Sequence, residues 1–116
     1  MTTVLVHKPW GSEVILVNNE LYCGKILTIY QDKRLSLQYH KKKQETIYIL
    51  SGKIRLEYDD NGKMYVEDLD CGEVRTIKPM VTHRMTALTN SAEVIEISTP
   101  HSDDDTVRLE DDFGRL

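Results

Sequence analysis

Residues 34–52 read RLSLQYHKKKQETIYILSG, in which two runs of alternating apolar residues flank a basic tip. Alternation with a period of two is typical of β-strands that have one face against a core. If residues 41–44 form a turn, the second run returns antiparallel to the first. Gln38 and His40 then share one face of the first strand, and Glu45 lies beside His40 on the same inward face. The segment therefore predicts that an imidazole, a carboxylate and an amide oxygen converge inside a sheet.

This trio lacks one strong ligand for a protein metal site. His83, in the second half of the chain, supplies that ligand if the sheet closes on itself. Two imidazoles, one carboxylate and one amide oxygen suit a hard-to-borderline divalent ion and leave room for water or substrate. We therefore expect Gln38, His40, Glu45 and His83 to bind one divalent ion. Zinc, manganese, iron, cobalt and nickel all fit, and the sequence does not choose among them.

The rest of the chain predicts an all-β fold, a barrel of the jelly-roll kind. About eight to ten short strands are separated by turn signals roughly every 8–12 residues, and no stretch has the helical period. A chain of 116 residues has the size of one ordinary domain. We expect a single domain over residues 1–116, with the barrel at about 8–99 and a C-terminal strap at 100–116. The strap is polar, so it is either disordered or docked onto the barrel by its few apolar residues.

Two spaced motifs resemble those of a known fold family. Residues 38–52 follow the pattern Q-x-H-x4-E-x6-G and resemble the first cupin motif, with Gln38 replacing the usual first histidine. Residues 72–83 follow G-x6-P-x3-H and resemble the second motif. Two departures are Asp32, where the motif usually begins with glycine, and Val81, where a glycine usually precedes the histidine. The resemblance implies the cupin fold, a double-stranded β-helix.

The two ends of the chain narrow this resemblance. Residues 8–11 read KPWG and residues 107–115 read VRLEDDFGR. With the glutamine variant of the first motif, they resemble the cupin domain of type II mannose-6-phosphate isomerases, over about residues 8–115. In longer relatives this domain follows a GDP-mannose pyrophosphorylase domain, for which 116 residues leave no room. The resemblance thus implies at most the isomerase half of such enzymes.

That activity interconverts mannose 6-phosphate and fructose 6-phosphate by moving a proton between C1 and C2 through a cis-enediol. The reaction needs a cation near the carbonyl, a general base and a positive group for the enediolate. Lys43 matches a position that carries Arg or Lys in relatives and is tied to activity, and a nearby dication is expected to lower its pKa. Arg108 resembles an activity-linked arginine of these isomerases, with enediolate stabilisation and phosphate binding as its candidate roles.

Glu96 is the third candidate catalytic residue. It lies between Ile95 and Ile97, so it points into the barrel if the isoleucines face outward. A buried unpaired carboxylate costs several kcal/mol, roughly, unless a cation or ligand meets it. Glu96 also matches an acidic residue of the family. No role is evident for His101.

Bulk properties exclude several other classes. A net charge of −4 and a pI near 5.5 argue against nucleic-acid and membrane-surface partners. Two cysteines are too few for a disulfide framework, and no apolar run approaches the ~20 residues of a membrane span, so we expect a cytoplasmic protein. Apolar residues on both faces of strands 22–30 and 34–40 predict a covered outer face. Either an N-terminal strand or a second subunit, and hence a homodimer, provides that cover.

The expected function is therefore a metal-dependent isomerase acting on a small sugar phosphate. One alternative is a non-catalytic metal-binding cupin that binds a sugar or sugar nucleotide in polysaccharide biosynthesis. A cupin dioxygenase with an iron site is less favoured, because the cationic groups of the tail suit an anionic ligand.

Overall fold

The computed structural model describes residues 2–116, and within them eleven strands form two antiparallel sheets. The all-β prediction is confirmed, although the described residues form eleven strands where the turn signals predicted about eight to ten. The strands are β1 (Val4–Lys8), β2 (Gly11–Asn18), β3 (Cys23–Tyr30), β4 (Leu37–His40), β5 (Glu45–Ser51), β6 (Lys53–Asp60), β7 (Lys63–Asp70), β8 (Val74–Ile77), β9 (His83–Ala87), β10 (Ser91–Ser98) and β11 (Thr106–Glu110). A short 3-10 turn covers Asp103–Asp105. No helix among residues 2–116 is long and apolar enough to cross a membrane.

The strands pair in two layers whose inner faces enclose the core. One sheet has the order β1-β2-β3-β10-β5-β8 and the other β11-β4-β9-β6-β7. The predicted hairpin of β4 and β5 is wrong in its pairing, because the two strands lie in different sheets and the basic tip crosses between them. The parity argument still holds, since inward positions of both strands face the same interior. Glu45 therefore lies near His40 across the sandwich rather than beside it in one sheet.

Along the inward faces of four strands, the buried side chains change from apolar to polar. All four strands have their polar residues at the same end of the barrel. Towards one end the inward residues are apolar, as with Val94 in β10, Leu27 in β3 and Ile47 in β5. One inward position further on, the same strands bury Glu96, Lys25 and Glu45. β9 likewise runs from buried Met85 to buried His83. The barrel thus has an apolar end that supplies the core and a polar end that concentrates charge.

The core cluster consists of side chains from both sheets. Its members are Trp10, Leu27, Ile29, Ile47, Ile49, Ile54, Leu56, Leu69, Ile77, Met85, Ala87, Ala92 and Val94. Each large member stabilises the fold by about 1.5–3 kcal/mol relative to an exposed side chain.

The C-terminal strap is ordered and belongs to the second sheet. β11 pairs antiparallel with β4, and Phe113 packs against the core cluster. Of the two alternatives for this segment, docking is therefore the one that the structure adopts.

The outer face of the first sheet carries an apolar row that crosses all six strands. Cross-strand register aligns Leu5, Val14, Ile26, Ile95, Tyr48 and Val74. β1 joins the edge of this sheet beside β2 and does not lie over its face. The alternative that an N-terminal strand covers this face is therefore wrong. That a second subunit covers it stays a prediction.

Two non-glycine residues near the sequence motifs have left-handed backbone conformations. Asp32 has φ 61° and Met80 has φ 69°. The first is where the cupin motif usually has glycine. The second strained position is Met80 rather than Val81, because the Met80 amide donates to the carbonyl oxygen of His40 at 2.7 Å and fixes the turn before His83.

Gly52 and Gly62 provide a matched test of how tightly the turns are packed. Both have positive φ (75° and 85°), but a Cβ at Gly52 would lie 2.5 Å from Thr89 Oγ1, while one at Gly62 meets no described atom within 4 Å. We expect Gly62→Ala to lower the free energy of unfolding by about 1 kcal/mol through backbone strain alone. Gly52→Ala should lower it by about 3 kcal/mol or more, because steric overlap adds to that strain. Urea denaturation measures both, and equal losses would contradict the steric explanation.

Met80→Gly should stabilise the protein. The left-handed conformation costs a non-glycine residue roughly 1–2 kcal/mol, and the greater freedom of glycine in the unfolded chain offsets about 0.4–1 kcal/mol of the gain. Because Met80 is 61% exposed, its side chain contributes little packing. We expect a rise of roughly 0.5–1 kcal/mol in the free energy of unfolding. Asp32→Gly is the control and should gain less, since Asp tolerates this conformation; a loss on Met80→Gly would refute the strain argument.

Candidate metal centre

Three potential metal ligands meet where three strands begin or end. His40 is the last residue of β4, Glu45 the first of β5 and His83 the first of β9. One ligand atom from each lies within 4.8 Å of the others, and the three residues are only 2–4% exposed. The polar end of the barrel therefore collects three of the four predicted ligands.

Both imidazoles are oriented by groups outside this cluster. His83 Nδ1 lies 2.9 Å from the carbonyl oxygen of Val81, and His40 Nδ1 lies 3.1 Å from Thr106 Oγ1. Each Nε2 faces Glu45 Oε1, at 2.9 Å for His83 and 3.8 Å for His40. Partners on Nδ1 that leave Nε2 free for coordination are a usual feature of histidine metal ligands.

His40 Nε2 provides the direct test of whether a cation fits. It is buried and has no hydrogen-bond partner among residues 2–116. An unsatisfied buried polar atom of this kind costs about 1–3 kcal/mol. A divalent ion among the two Nε2 atoms and the carboxylate would use the lone pair, so the residues present fit a metal.

Gln38 lies at the same level but has a partner. In the register of β4 it is opposite His83 of β9 and Arg108 of β11. Its Oε1 accepts a 2.7 Å hydrogen bond from the Ser36 hydroxyl. A carbonyl oxygen has two lone pairs, so this bond leaves one for a metal. Its role as the fourth ligand stays a prediction.

Lys43 forms the centre of a buried charge cluster. Its Nζ lies 3.1 Å from Glu96 Oε2, 3.4 Å from Glu45 Oε2 and 3.2 Å from His101 Nδ1. Burial opposes the charge on Lys43, but the carboxylates of Glu96 and Glu45 raise its pKa above the ordinary lysine value. Without a bound ion, two carboxylates therefore keep this ammonium charged, and the lowering expected beside a dication stays a prediction.

Glu96 points into the barrel, as its neighbours predicted. It is 6% exposed, while Ile97 beside it is 58% exposed. Burial, followed by the charge of Glu45, raises the pKa of Glu96 to about 7. Lys43 and Lys25, which lies opposite Glu96 in β3, oppose that rise. The cation that a buried carboxylate requires is thus Lys43.

The pKa values of the three candidate metal ligands shift in different directions, down for His40 and Glu45 and up for His83. Burial and the charge of Lys43 lower the pKa of His40 to about 4, so its imidazole is neutral and able to coordinate. Burial alone would raise the pKa of Glu45, but the hydrogen bond and charge of His83 hold it well below the usual range. Burial likewise opposes protonation of His83, whereas the contact with Glu45 raises its pKa overall.

A pocket opens beside these residues and is rich in cations. Arg108 projects from β11 into it, and its Nε is buried without a hydrogen-bond partner in the described part of the chain. Lys8, Lys25 and Arg115 line the same pocket. The pocket also contains four sequence candidates besides Arg108, namely Gln38, His40, Lys43 and Glu96. An anionic ligand with oxygen acceptors suits this lining.

Some of the residues that line this pocket were not predicted from the sequence. Lys25 is 3% exposed and lies 3.6 Å from Glu13 Oε1. Its signal was present, because Lys25 alternates with Cys23, Leu27 and Ile29 on the inward face of β3. A lysine in that register must have a buried partner or a ligand. His101 gave no such signal, because it lies outside any strand pattern.

Comparison with known proteins identifies the family of this chain. Residues 2–111 match the family described as mannose-6-phosphate isomerase C-terminal. The alginate biosynthesis protein AlgA of Pseudomonas aeruginosa is 31% identical over 117 residues, which covers 95% of this chain but only 23% of AlgA. The chain thus spans about a quarter of the length of that relative.

Solved structures share the fold. The capsular polysaccharide assembling protein CapF from Staphylococcus aureus has a TM-score of 0.84 at 17% identity, over 96% of this chain and 32% of CapF. Oxalate decarboxylase from Bacillus subtilis has a TM-score of 0.83 at 20% identity, over 92% of this chain and 30% of that protein. KdgF from Halomonas sp. has a TM-score of 0.73 at 16% identity, over 87% and 89% of the two chains.

These structural likenesses establish the cupin fold, and the family match covers nearly all of the described residues. The chain therefore belongs to the mannose-6-phosphate isomerase C-terminal family, as a cupin domain.

Proposed function

We propose that this cupin domain is a metal-dependent isomerase that interconverts mannose 6-phosphate and fructose 6-phosphate. The observation that carries the proposal is Arg108, which lines the same pocket as His40 and Gln38 and whose buried Nε has no hydrogen-bond partner among residues 2–116. An anion-binding guanidinium next to a metal-type donor set is what a sugar phosphate requires. The family supports the choice of substrate.

The proposed metal ligands are Gln38, His40, Glu45 and His83. Zinc, manganese, iron, cobalt and nickel remain the candidates for the ion. A divalent ion bound there would supply Lewis-acid polarisation of the sugar carbonyl. The orientation of both imidazoles by Val81 and Thr106 prepares the site for it.

Proton transfer is assigned to the pair formed by Lys43 and Glu96. The two side chains are 3.1 Å apart and line the pocket, so both can reach one edge of a bound sugar. The carboxylate of Glu96 accepts the proton from C1 or C2 and returns it to the other carbon. The ammonium of Lys43 stabilises the negative charge that develops on the enediolate.

Arg108 is assigned to the phosphate group. A guanidinium presents paired N–H groups that match two phosphate oxygens. Lys8, Lys25 and Arg115 add positive charge to the same pocket, although all three already have carboxylate partners, Glu13 for the two lysines and Asp111 for Arg115. This surplus of cations favours phosphate binding over enediolate stabilisation as the role of Arg108.

A second candidate function is a non-catalytic cupin that binds a sugar or sugar nucleotide in polysaccharide biosynthesis. It is favoured by the surroundings of Lys43, whose ammonium has three acceptors within 3.4 Å and is tied into a charge network. The names of AlgA and CapF, which refer to alginate biosynthesis and capsular polysaccharide, support it loosely.

One experiment separates the two candidates. Metal-loaded protein is incubated with fructose 6-phosphate, formation of mannose 6-phosphate is followed, and binding is measured by calorimetry on the same sample. Turnover above background supports the isomerase. Calorimetric binding of fructose 6-phosphate without turnover replaces it with the binding module.

Arg108→Gln tests the phosphate assignment. Loss of a charge-assisted contact of about 2–3 kcal/mol should raise the KM for fructose 6-phosphate roughly 30- to 150-fold. The control is Arg55→Gln, which removes an exposed ion pair with Asp68 and should leave KM unchanged. An unaltered KM in Arg108→Gln would exclude Arg108 from phosphate binding.

The combined substitution His40→Ala and His83→Ala tests the metal centre. Removing both imidazoles leaves too few strong ligands, so bound metal should fall from about one ion per chain to near zero. Equilibrium dialysis followed by elemental analysis measures this without any activity assay. The exposed His7 offers the control, because His7→Ala should keep the full metal content. Retention of one ion by the double variant would overturn the assigned site.

A further inference from the structure

The segment of residues 99–105, before β11, is fastened to the basic tip that carries Lys43. Thr99 exchanges two hydrogen bonds with Gln44, from Gln44 N to Thr99 Oγ1 at 3.0 Å and from Thr99 N to the Gln44 carbonyl oxygen at 3.0 Å. The carboxylate of Asp105 accepts from the backbone amides of Lys42 and Lys43, each at 2.9 Å. The backbone of the tip is therefore held in place along its length by this segment.

His101 lies in the middle of this segment and is itself held at its backbone. Its amide donates to Asn18 Oδ1 at 3.1 Å, and its carbonyl oxygen accepts from Asn18 Nδ2 at 3.1 Å. Its ring lines the pocket, with Nδ1 3.2 Å from Lys43 Nζ and Nε2 3.0 Å from Asp103 Oδ1. Three separate contacts thus fix the position and the orientation of the imidazole.

The partners of His101 determine which nitrogen carries the proton. An ammonium can only donate, so the Nδ1 that faces Lys43 must be the unprotonated, accepting nitrogen. The ring proton is then on Nε2 and points at the carboxylate of Asp103. Burial and the charges of Lys43 and Lys25 lower the pKa of His101, which keeps the ring neutral. A carboxylate that orients a neutral imidazole is a common arrangement at functional sites.

The same contact completes the hydrogen bonding of Lys43. An ammonium has three N–H donors, and Lys43 has three acceptors, on Glu96, Glu45 and His101. Lys43 is 3% exposed, so a donor without an acceptor there has no ready replacement from solvent. Without the third acceptor, one N–H of the buried ammonium has no partner, and the side chain is no longer held in its position between Glu45 and Glu96.

We propose that His101, oriented by Asp103, is a positioning residue that holds the Lys43 ammonium between Glu45 and Glu96. His101 acts through Lys43 and does not itself touch the reacting atoms. Its effect on turnover rests on the proposed function, whereas its contact with Lys43 does not. The two parts are therefore tested by different measurements.

The first measurement uses NMR of the protein with labelled histidine and needs no substrate. Long-range ¹H–¹⁵N correlation at neutral pH should show His101 with a proton on Nε2 and a bare Nδ1. In Lys43→Met the Nδ1 resonance should move, because its hydrogen bond is lost; in Lys42→Met, the exposed neighbour, it should not. A parent protein with the proton on Nδ1 overturns the proposal, and so does an Nδ1 resonance that is identical in folded Lys43→Met.

Lys43→Met leaves two buried carboxylates near each other and can fail to fold. In that event Asp103→Asn decides this arm, because its amide can also present a donor to Nε2 and should raise the share of the other tautomer. An unchanged tautomer ratio in folded Asp103→Asn overturns the orienting role of Asp103.

The second measurement compares two substitutions of His101 in the isomerase assay. His101→Phe keeps the ring volume but removes the acceptor, and kcat should fall roughly 10- to 100-fold with KM nearly unchanged, because the ammonium is misplaced. His101→Asn restores an acceptor near the Nδ1 position and should recover most of kcat. Urea denaturation of both variants separates positioning from stability.

Each outcome has one meaning. A His101→Phe variant with normal kcat, or an Asn variant as impaired as Phe at equal stability, overturns the proposal. A parent protein without isomerase activity refutes the proposed function instead, and the NMR result then decides the inference alone.

Discussion

The carboxylate of Glu45 is the constraint on which the polar end of the barrel depends. It is 2% exposed and lies within 4 Å of both imidazoles and of the Lys43 ammonium. A charge in that position is tolerable only because cations or ion ligands surround it. The neighbouring carboxylate of Glu96 also needs a positive group, and the Lys43 ammonium lies close enough to neutralise both carboxylates. The same few contacts therefore bring the polar groups of the site together and offset the electrostatic cost of burying their charges.

The alternation of side chains along each strand was enough to predict which residues of the site point inward. The alternation in residues 34–52 placed His40 and Glu45 inward, and the isoleucines around Glu96 placed that carboxylate inward, because side-chain direction in a strand depends only on local spacing. The period of the turns gave the all-β class. Such arguments use short-range geometry, which the sequence states directly.

Long-range pairing could not be obtained in the same way. Parity gives the face of a strand but not its neighbour, so β4 and β5 were expected to pair although they lie in different sheets. The partners of Lys43 come from β5, β10 and the segment before β11, up to 58 positions away in the chain. The sequence therefore did not show that two carboxylates raise the pKa of Lys43 in the absence of a bound ion. His101 carried no periodic signal at all, and only its distance to Lys43 draws attention to it.

The position of β11 links the chain end to the interior. This strand covers the edge of β4, contributes Thr106 beside the ring of His40 and brings Arg108 opposite Gln38. The thirteen-residue core cluster contains no residue of β11 or of the segment before it, so its side chains come from Trp10 to Val94. Local detachment of β11, which breaks few apolar contacts, would therefore dismantle the pocket that Thr106 and Arg108 line while the hydrophobic interior stays folded. Proteolytic cleavage between β10 and β11 is then a way to obtain a domain that keeps its folded core but lacks this pocket.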